Sequence, residues 1–301
     1  MNRNLCICQN VIFAFFLVLI PALSFAQKTD TTRNPAYSGN KHPLVLFDEA
    51  HHNFHTSTGR YKPFADALTQ DGYVVTPNKQ KITLQVLSGF DVFVCSNAFS
   101  AEPNAQGRLS PDLAFTAEEC HYLKLWVLSG GSLWLIADHD PAGNAVENLS
   151  DSVGVSMSKS YTADPKNFDK IVFDASWISY SVENKNLGNH PIIRGRNETE
   201  RVKTVLSFTG QSLKGPKKSV PLLLLSDEAY DVLNIEDRQK AKIISAKGRC
   251  QGLALELGKG RVVVCGEAAM FTSQNGDGIN FPGVDNRQLL LNIAHWLSRL
   301  L

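Results

Sequence analysis

From residue 43 onward, short apolar runs alternate with stretches of helical spacing. Pro43–Asp48 is an apolar run that ends in a carboxylate. Tyr61–Gln70 carries Phe64, Ala65 and Leu68 on one side of a helix. Tyr73–Thr76 is a second strand, Ile82–Leu87 a short helix, Asp91–Cys95 a third strand, and 96–115 a long loop. Thr116-Ala-Glu-Glu119 has the spacing of a capping box, in which the Thr and Glu side chains satisfy free N–H groups of the first turn. The helix it opens has Leu123, Trp126 and Val127 inward and ends at Gly130-Gly131. Ser132–Ala137 is a fourth strand, running into Asp138-His139-Asp140-Pro141. Strands and helices alternating at this spacing predict right-handed βαβ units and a parallel sheet.

The pattern loosens between about 155 and 240. Short β-like pieces (Lys170–Phe173, Val202–Phe208, Val220–Leu225) and a charged stretch (Asn234–Lys242) read as an irregular insertion. Regularity returns with Gly252–Leu257 and Arg261–Cys265, two strands joined by the turn Gly258-Lys259-Gly260, and with an amphipathic helix over Asp285–Leu300. The expected fold class is α/β, a flavodoxin-like three-layer sandwich with a mostly parallel sheet and an irregular insertion.

The N-terminus has a different character. Arg3 precedes the unbroken apolar run Val11–Ile20, Pro21 breaks it, and Ser24-Phe25-Ala26 places small residues at the positions a signal peptidase reads. The run is shorter than the ~20 residues a spanning helix needs. Residues 1–26 therefore read as a signal peptide, 27–42 as a flexible polar leader, and 43–301 as one domain. The expected location is the periplasm or the extracellular space, with no stable membrane anchor after cleavage. Without Arg3 the chain holds 29 basic and 29 acidic residues. That balance gives no support to nucleic acid as a partner. The partner is instead a small polar ligand or an envelope component. Cys95, Cys120, Cys250 and Cys265 are far apart, with no C-x-x-C pair.

Polar groups recur at the carboxyl ends of the strands, where open parallel sheets bind ligands. The first strand runs into Asp48-Glu-Ala-His51-His52-Asn53-Phe-His55, the third into Ser96-Asn97, the fourth into Asp138-His139-Asp140 with Asn144 beyond, and the last into Glu267. Four of the eight histidines lie in two of these loops. Asp48, His51, His139 and Glu267 are the candidate catalytic acid–base groups. His52, Asn53, His55, Ser96, Asn97, Asp138, Asp140 and Asn144 are candidate ligand contacts. Asp48, His51, His55 and His139 suit a divalent metal, although Asp-x-x-His-x-x-x-His is not an established metal motif. Cys95 stands where related hydrolases carry a nucleophile on a strained turn, but it lacks the small flanking residues such a turn uses.

Residues 44–55, Phe115–Glu119 with Gly130–Asp138, and Gly258–Glu267 with Asp285–Trp296 together resemble the class I glutamine amidotransferase-like superfamily, in particular its exported bacterial branch with ThuA-like and GIFT-like domains. The resemblance covers about 43–155 and 250–300 and implies a flavodoxin-like fold. Members that catalyse glutamine hydrolysis use a glycine-flanked cysteine and a downstream His-x-Glu. This chain has Cys95 without the glycines and no His-x-Glu near its last strand. Three functions are therefore expected in competition: a pocket that binds a small polar, carbohydrate-like ligand, with hydrolysis left open; a non-catalytic envelope binding or assembly domain; and a cysteine hydrolase using Cys95.

Overall fold

A computed structural model describes residues 35–169, 174–234, 240–273 and 278–301. The signal-peptide reading, the first half of the leader, the Lys170–Phe173 piece and the middle of the 234–242 stretch lie outside the described residues.

The first half of the chain builds β1 (Leu44–Asp48), α1 (Lys62–Gln70), β2 (Val74–Asn78), α2 (Leu84–Leu87), β3 (Val92–Ser96), α3 (Ala117–Ser129), β4 (Ser132–Ile136), α4 (Ala142–Ala145) and α5 (Glu147–Ser152). The insertion supplies β5 (Ser156–Met157), β6 (Tyr161–Ala163), β7 (Phe168–Asp169), β8 (Asp174–Ser181), α6 (Pro191–Arg194), β9 (Thr204–Phe208), β10 (Leu213–Lys214), β11 (Val220–Leu224), β12 (Tyr230–Leu233) and β13 (Lys242–Ser245). The chain closes with β14 (Cys250–Leu257), β15 (Gly260–Cys265) and α7 (Asn286–Leu297).

The main sheet has the order β2-β1-β3-β4-β15-β14-β10-β5, with β11 also on β14. Its first five strands are parallel. β14 then reverses against β15, and β10, β11 and β5 continue antiparallel. The inner strands β1, β3 and β4 are apolar runs because both of their faces are buried, whereas the edge strand β2 is largely exposed. Along β4, Trp134 and Ile136 pack into one core with Phe64, Leu290 and Ile293 from α1 and α7. Leu133 and Leu135 pack into the other, with Leu123 and Val127 of α3 and Leu149 of α5. This alternation makes the expected three layers. The capping box is present: Thr116 Oγ1 accepts from Glu119 N, and Glu119 accepts from Thr116 N.

Two features depart from the sequence reading. The leader is docked at its end: Tyr37 N donates to Asp71 O, and its ring meets Tyr73 edge-on at 5.1 Å. The insertion is not loose. It forms two small sheets, β13-β12-β6 and β7-β8-β9, and lends β5, β10 and β11 to the main sheet. Tyr180, one of its aromatic residues, is fully buried and donates to Gln251. Among the described residues, no helix is long and apolar enough to cross a membrane.

Candidate functional site

With β1 between β2 and β3, the order reverses at β1–β3, so the loops after these strands flank the switch point where such sheets take ligands. Asp48 ends β1 fully buried. Its carboxylate accepts from His51 Nδ1 at 2.9 Å and from Asn53 Nδ2 at 3.1 Å. The other ring nitrogen of His51, Nε2, lies 3.2 Å from Glu119 Oε1. Burial pulls the His51 pKa down, but the two carboxylates outweigh it and hold the pKa above its ordinary value. Burial would raise Glu119, but hydrogen bonds from Thr116 and Ile82 and the charge of His51 bring it below its ordinary range. His51 is therefore clamped at both nitrogens between β1 and the start of α3, with Phe115 against its ring at 4.0 Å. Neither nitrogen is left to take a proton from a substrate. Glu119, the carboxylate that closes this clamp, is legible in the sequence only as a helix cap.

His55 is buried too. Its Nδ1 lies 3.0 Å from Ser96 Oγ and its ring stacks on Tyr61 at 4.4 Å. Burial, with the charge of Arg60, pushes its pKa down to about 3, so the ring is neutral. His52 turns outward and pairs with Glu102.

At the end of β3 the chain turns through the left-handed region. Asn97 has φ +41°, and His52 beside it has φ +43°. The sequence lacks the small neighbours that usually mark such a turn, but asparagine tolerates the left-handed region well. The residue at that position is an amide, bonded twice to one partner: Asn97 Nδ2 donates to Asp138 Oδ2 at 2.7 Å, and Asp138 N donates to Asn97 Oδ1 at 2.9 Å. Asp138 Oδ1 accepts from Ala268 N at 2.7 Å, which ties the end of β4 to the segment after β15. Glu267 is fully buried, and its carboxyl accepts from Ala269 N and Met270 N. Burial and then the nearby Asp138 push the Glu267 pKa well up. The carboxyl of Asp138 also faces inward, and burial raises it.

Cys95 is fully buried behind this layer, and burial followed by the charge of Asp48 pushes its thiol well up. Cys120, Cys250 and Cys265 are also buried and free, with thiols pushed up to about 11, 12 and 12. All four should resist a thiol reagent in the native protein and react once it is unfolded. Stoichiometric labelling of Cys95 under native conditions would contradict its placement.

His139, Asp140 and Asn144 belong to a separate region. His139 Nδ1 donates to Asp140 O at 2.7 Å and its ring stacks on Tyr161 at 3.6 Å. Asn144 Nδ2 bonds to Asp140 Oδ1. Beside them lies an open hollow of about 570 Å³, walled by Asp140, Asn144, Ser158, Ser160, Tyr161 and Val232 among others. Buried Gln211 fixes its rim: Oε1 accepts from Lys159 N at 2.8 Å, and Nε2 donates to Ala137 O and Asp138 O at 3.0 and 2.8 Å. Position 143 must be glycine, because a Cβ there would lie 2.7 Å from Gln211 Nε2.

The predicted residues therefore fall into two groups. Asp48, His51, Asn53, His55, Ser96, Asn97, Asp138 and Glu267 lie along the sheet's carboxyl edge, where hydrogen bonds join Asp48 to His51 and Asn53, Asn53 to Ser96 O, His55 to Ser96, and Asn97 to Asp138. His139, Asp140 and Asn144 stand at the hollow. Among the described residues no contact joins His51 to His139, and no group of three His, Cys, Asp or Glu side chains is arranged to hold a metal. The expected metal set of Asp48, His51, His55 and His139 is divided because His51 is held by carboxylates while His139 is held by Tyr161 and Asp140. Tyr161 and Gln211, which shape the hollow, come from the insertion, where sequence periodicity gave no signal.

No protein-family model matches the chain, and no curated protein matches its sequence significantly. Solved structures do match. The mmIFT52 N-terminal domain aligns over 84% of this chain and 97% of its own, at 17% identity and a TM-score of 0.61. Cytoplasmic protein STM1381 from Salmonella typhimurium LT2 aligns over 85% and 99%, at 12% identity and 0.51. Cytoplasmic protein STM3548 from Salmonella typhimurium aligns over 84% and 98%, at 12% identity and 0.50. At these identities the likeness is one of fold, and the fold is the expected flavodoxin-like α/β architecture.

Proposed function

We propose that the protein is a non-catalytic binding domain, exported through the signal peptide read in residues 1–26, whose small polar ligand sits in the hollow beside the end of β4. The observation that carries this reading is Asn97. The turn after β3 puts Asn97 in the left-handed region and presents an amide, and both polar atoms of that amide are engaged by Asp138. An amide has no nucleophilic oxygen or sulfur to activate. The neighbouring nucleophilic groups are withheld: Cys95 is buried behind the turn with its thiol pKa raised, and Ser96 Oγ is fully buried against His55 Nδ1 at 3.0 Å. His51 is clamped at both ring nitrogens by carboxylates, and burial pushes the His55 pKa down to about 3, which makes it a weak base.

The finer placement, in the exported branch with ThuA-like and GIFT-like domains, rests on the sequence segments quoted above. The test is to secrete the full-length protein, sequence the mature N-terminus, and assay the product against glutamine and chromogenic esters, amides and glycosides. Cleavage after Ala26 and no turnover are expected. Turnover abolished by Cys95→Ser or Asn97→Ala would overturn the non-catalytic reading. A retained N-terminal segment would overturn export with cleavage.

A further inference from the structure

A second hollow of about 340 Å³ adjoins the first, walled by Ala163, Ser176, Thr209 and Tyr230, with Tyr161 and Val232 shared. Tyr161 and Val232 are register partners on β6 and β12 and so lie side by side on one face of that small sheet. They form the ridge between the two hollows. We propose that the two hollows are one site for a neutral oligosaccharide chain, with adjacent sugar units on either side of the Tyr161–Val232 ridge. This deepens the binding reading above and rests on it.

Three observations support the assignment. The first is size: both hollows fall within the ~300–1,000 Å³ that small-ligand sites occupy, and a shared wall favours a ligand with repeating units over a single compact one. The second is chemistry. Among the described wall residues, Lys159 and Lys240 are matched in number by Asp140 and Asp174, so the described walls carry no net formal charge. Asn144, Ser158, Ser160, Ser176 and Thr209 offer amide and hydroxyl groups around an aromatic and aliphatic ridge. Sugar rings need this combination, with C–H faces against an aromatic side chain and hydroxyls to amides and hydroxyls. The stack with His139 holds the Tyr161 ring in place before any ligand arrives.

The third observation is where backbone strain collects. Seven described non-glycine residues have positive φ, and three of them line these hollows: Lys159 at +60° and Asn234 at +53° in the first, Thr209 at +65° in the second. For β-branched Thr209 this is a true outlier. It is held by Thr209 N donating to Ser176 O at 3.0 Å, as Lys159 is held by Gln211. Such strain persists where surrounding structure enforces it, and it gathers at ligand clamps.

The test is amide-resolved NMR titration of the secreted protein with maltotriose, cellotriose and chitotriose, with glucose and trialanine as controls, each to about 10 mM. At least one trisaccharide should shift signals from both hollows, and glucose should bind at least about tenfold more weakly. Tyr161→Ala should weaken the trisaccharide about tenfold, whereas Tyr161→Phe, which keeps the ring, should retain its affinity. Ala175→Phe, which fills the second hollow, should reduce the trisaccharide to the affinity of glucose. The spectra report whether each variant is folded. Shifts confined to the first hollow, equal binding of trialanine, or no response to any trisaccharide would overturn the oligosaccharide assignment. Cleavage of a bound trisaccharide would instead overturn the non-catalytic reading and leave the assignment of the site standing.

Discussion

His51→Ala is expected to lower unfolding free energy by about 3–5 kcal/mol, because it strands two carboxylates that the imidazole now bridges inside the protein. Asp48 and Glu119 are both buried, and water cannot fully replace what His51 supplies. The signature lies in pH. The His51 pKa is raised by folding, so its contribution is complete below its unfolded value near ~6.5 and is lost as pH rises through the folded value. The Glu119 pKa is depressed by folding, so its contribution is complete above ~4.3 and is lost as pH falls through its folded value. The stability gap between wild type and His51→Ala should therefore be widest at about pH 5–6.5 and narrow on the alkaline side. Urea denaturation of both proteins from pH 5 to 9 measures it. A gap that stays constant with pH would mean that His51 contributes by packing against Phe115 and not by charge.

Gln211→Ala is expected to cost about 3 kcal/mol, combining a side-chain cavity with orphaned polar groups at Lys159 N, Ala137 O and Asp138 O. Gln211 is wholly buried and is the only residue described here whose side chain bonds both the end of β4 and the rim of the hollow. Its loss should also free Lys159 from the left-handed region, so amide exchange at 158–160 should accelerate beyond what global destabilisation explains. A cost below about 1 kcal/mol with unchanged local exchange would show that the rim keeps its shape without Gln211.

The parallel half of the fold was legible because its inner strands β1, β3 and β4 are buried on both faces and α3 carries capping and glycine signals. Leu44–Asp48, Val92–Ser96, the capped helix from Ala117 and the β14–β15 hairpin all lie within a few residues of the expected bounds. The insertion was not legible, because its strands are two to eight residues long and find partners far away in the chain, as Leu213 does with Cys250. The sequence also placed polar residues at the carboxyl edge. What it could not show was direction: an Asp48-x-x-His51 spacing is the same whether the pair faces solvent or is clamped by Glu119 from another helix. Asn97 shows the same limit, since a search for flanking glycines misses a turn whose strain is absorbed by asparagine.

β4 and β15 are adjacent parallel strands, and the whole insertion separates them in the chain. Their pairing must close a long loop, and such non-local contacts slow folding. Until β15 arrives, β4 presents the open edge Leu133-Trp134-Leu135-Ile136, apolar on both faces. During synthesis this edge emerges well before its partner and is a template for pairing between chains. Yield in refolding should therefore fall steeply with protein concentration, and the sensitive moment is the wait of β4 for a strand near the far end of the chain.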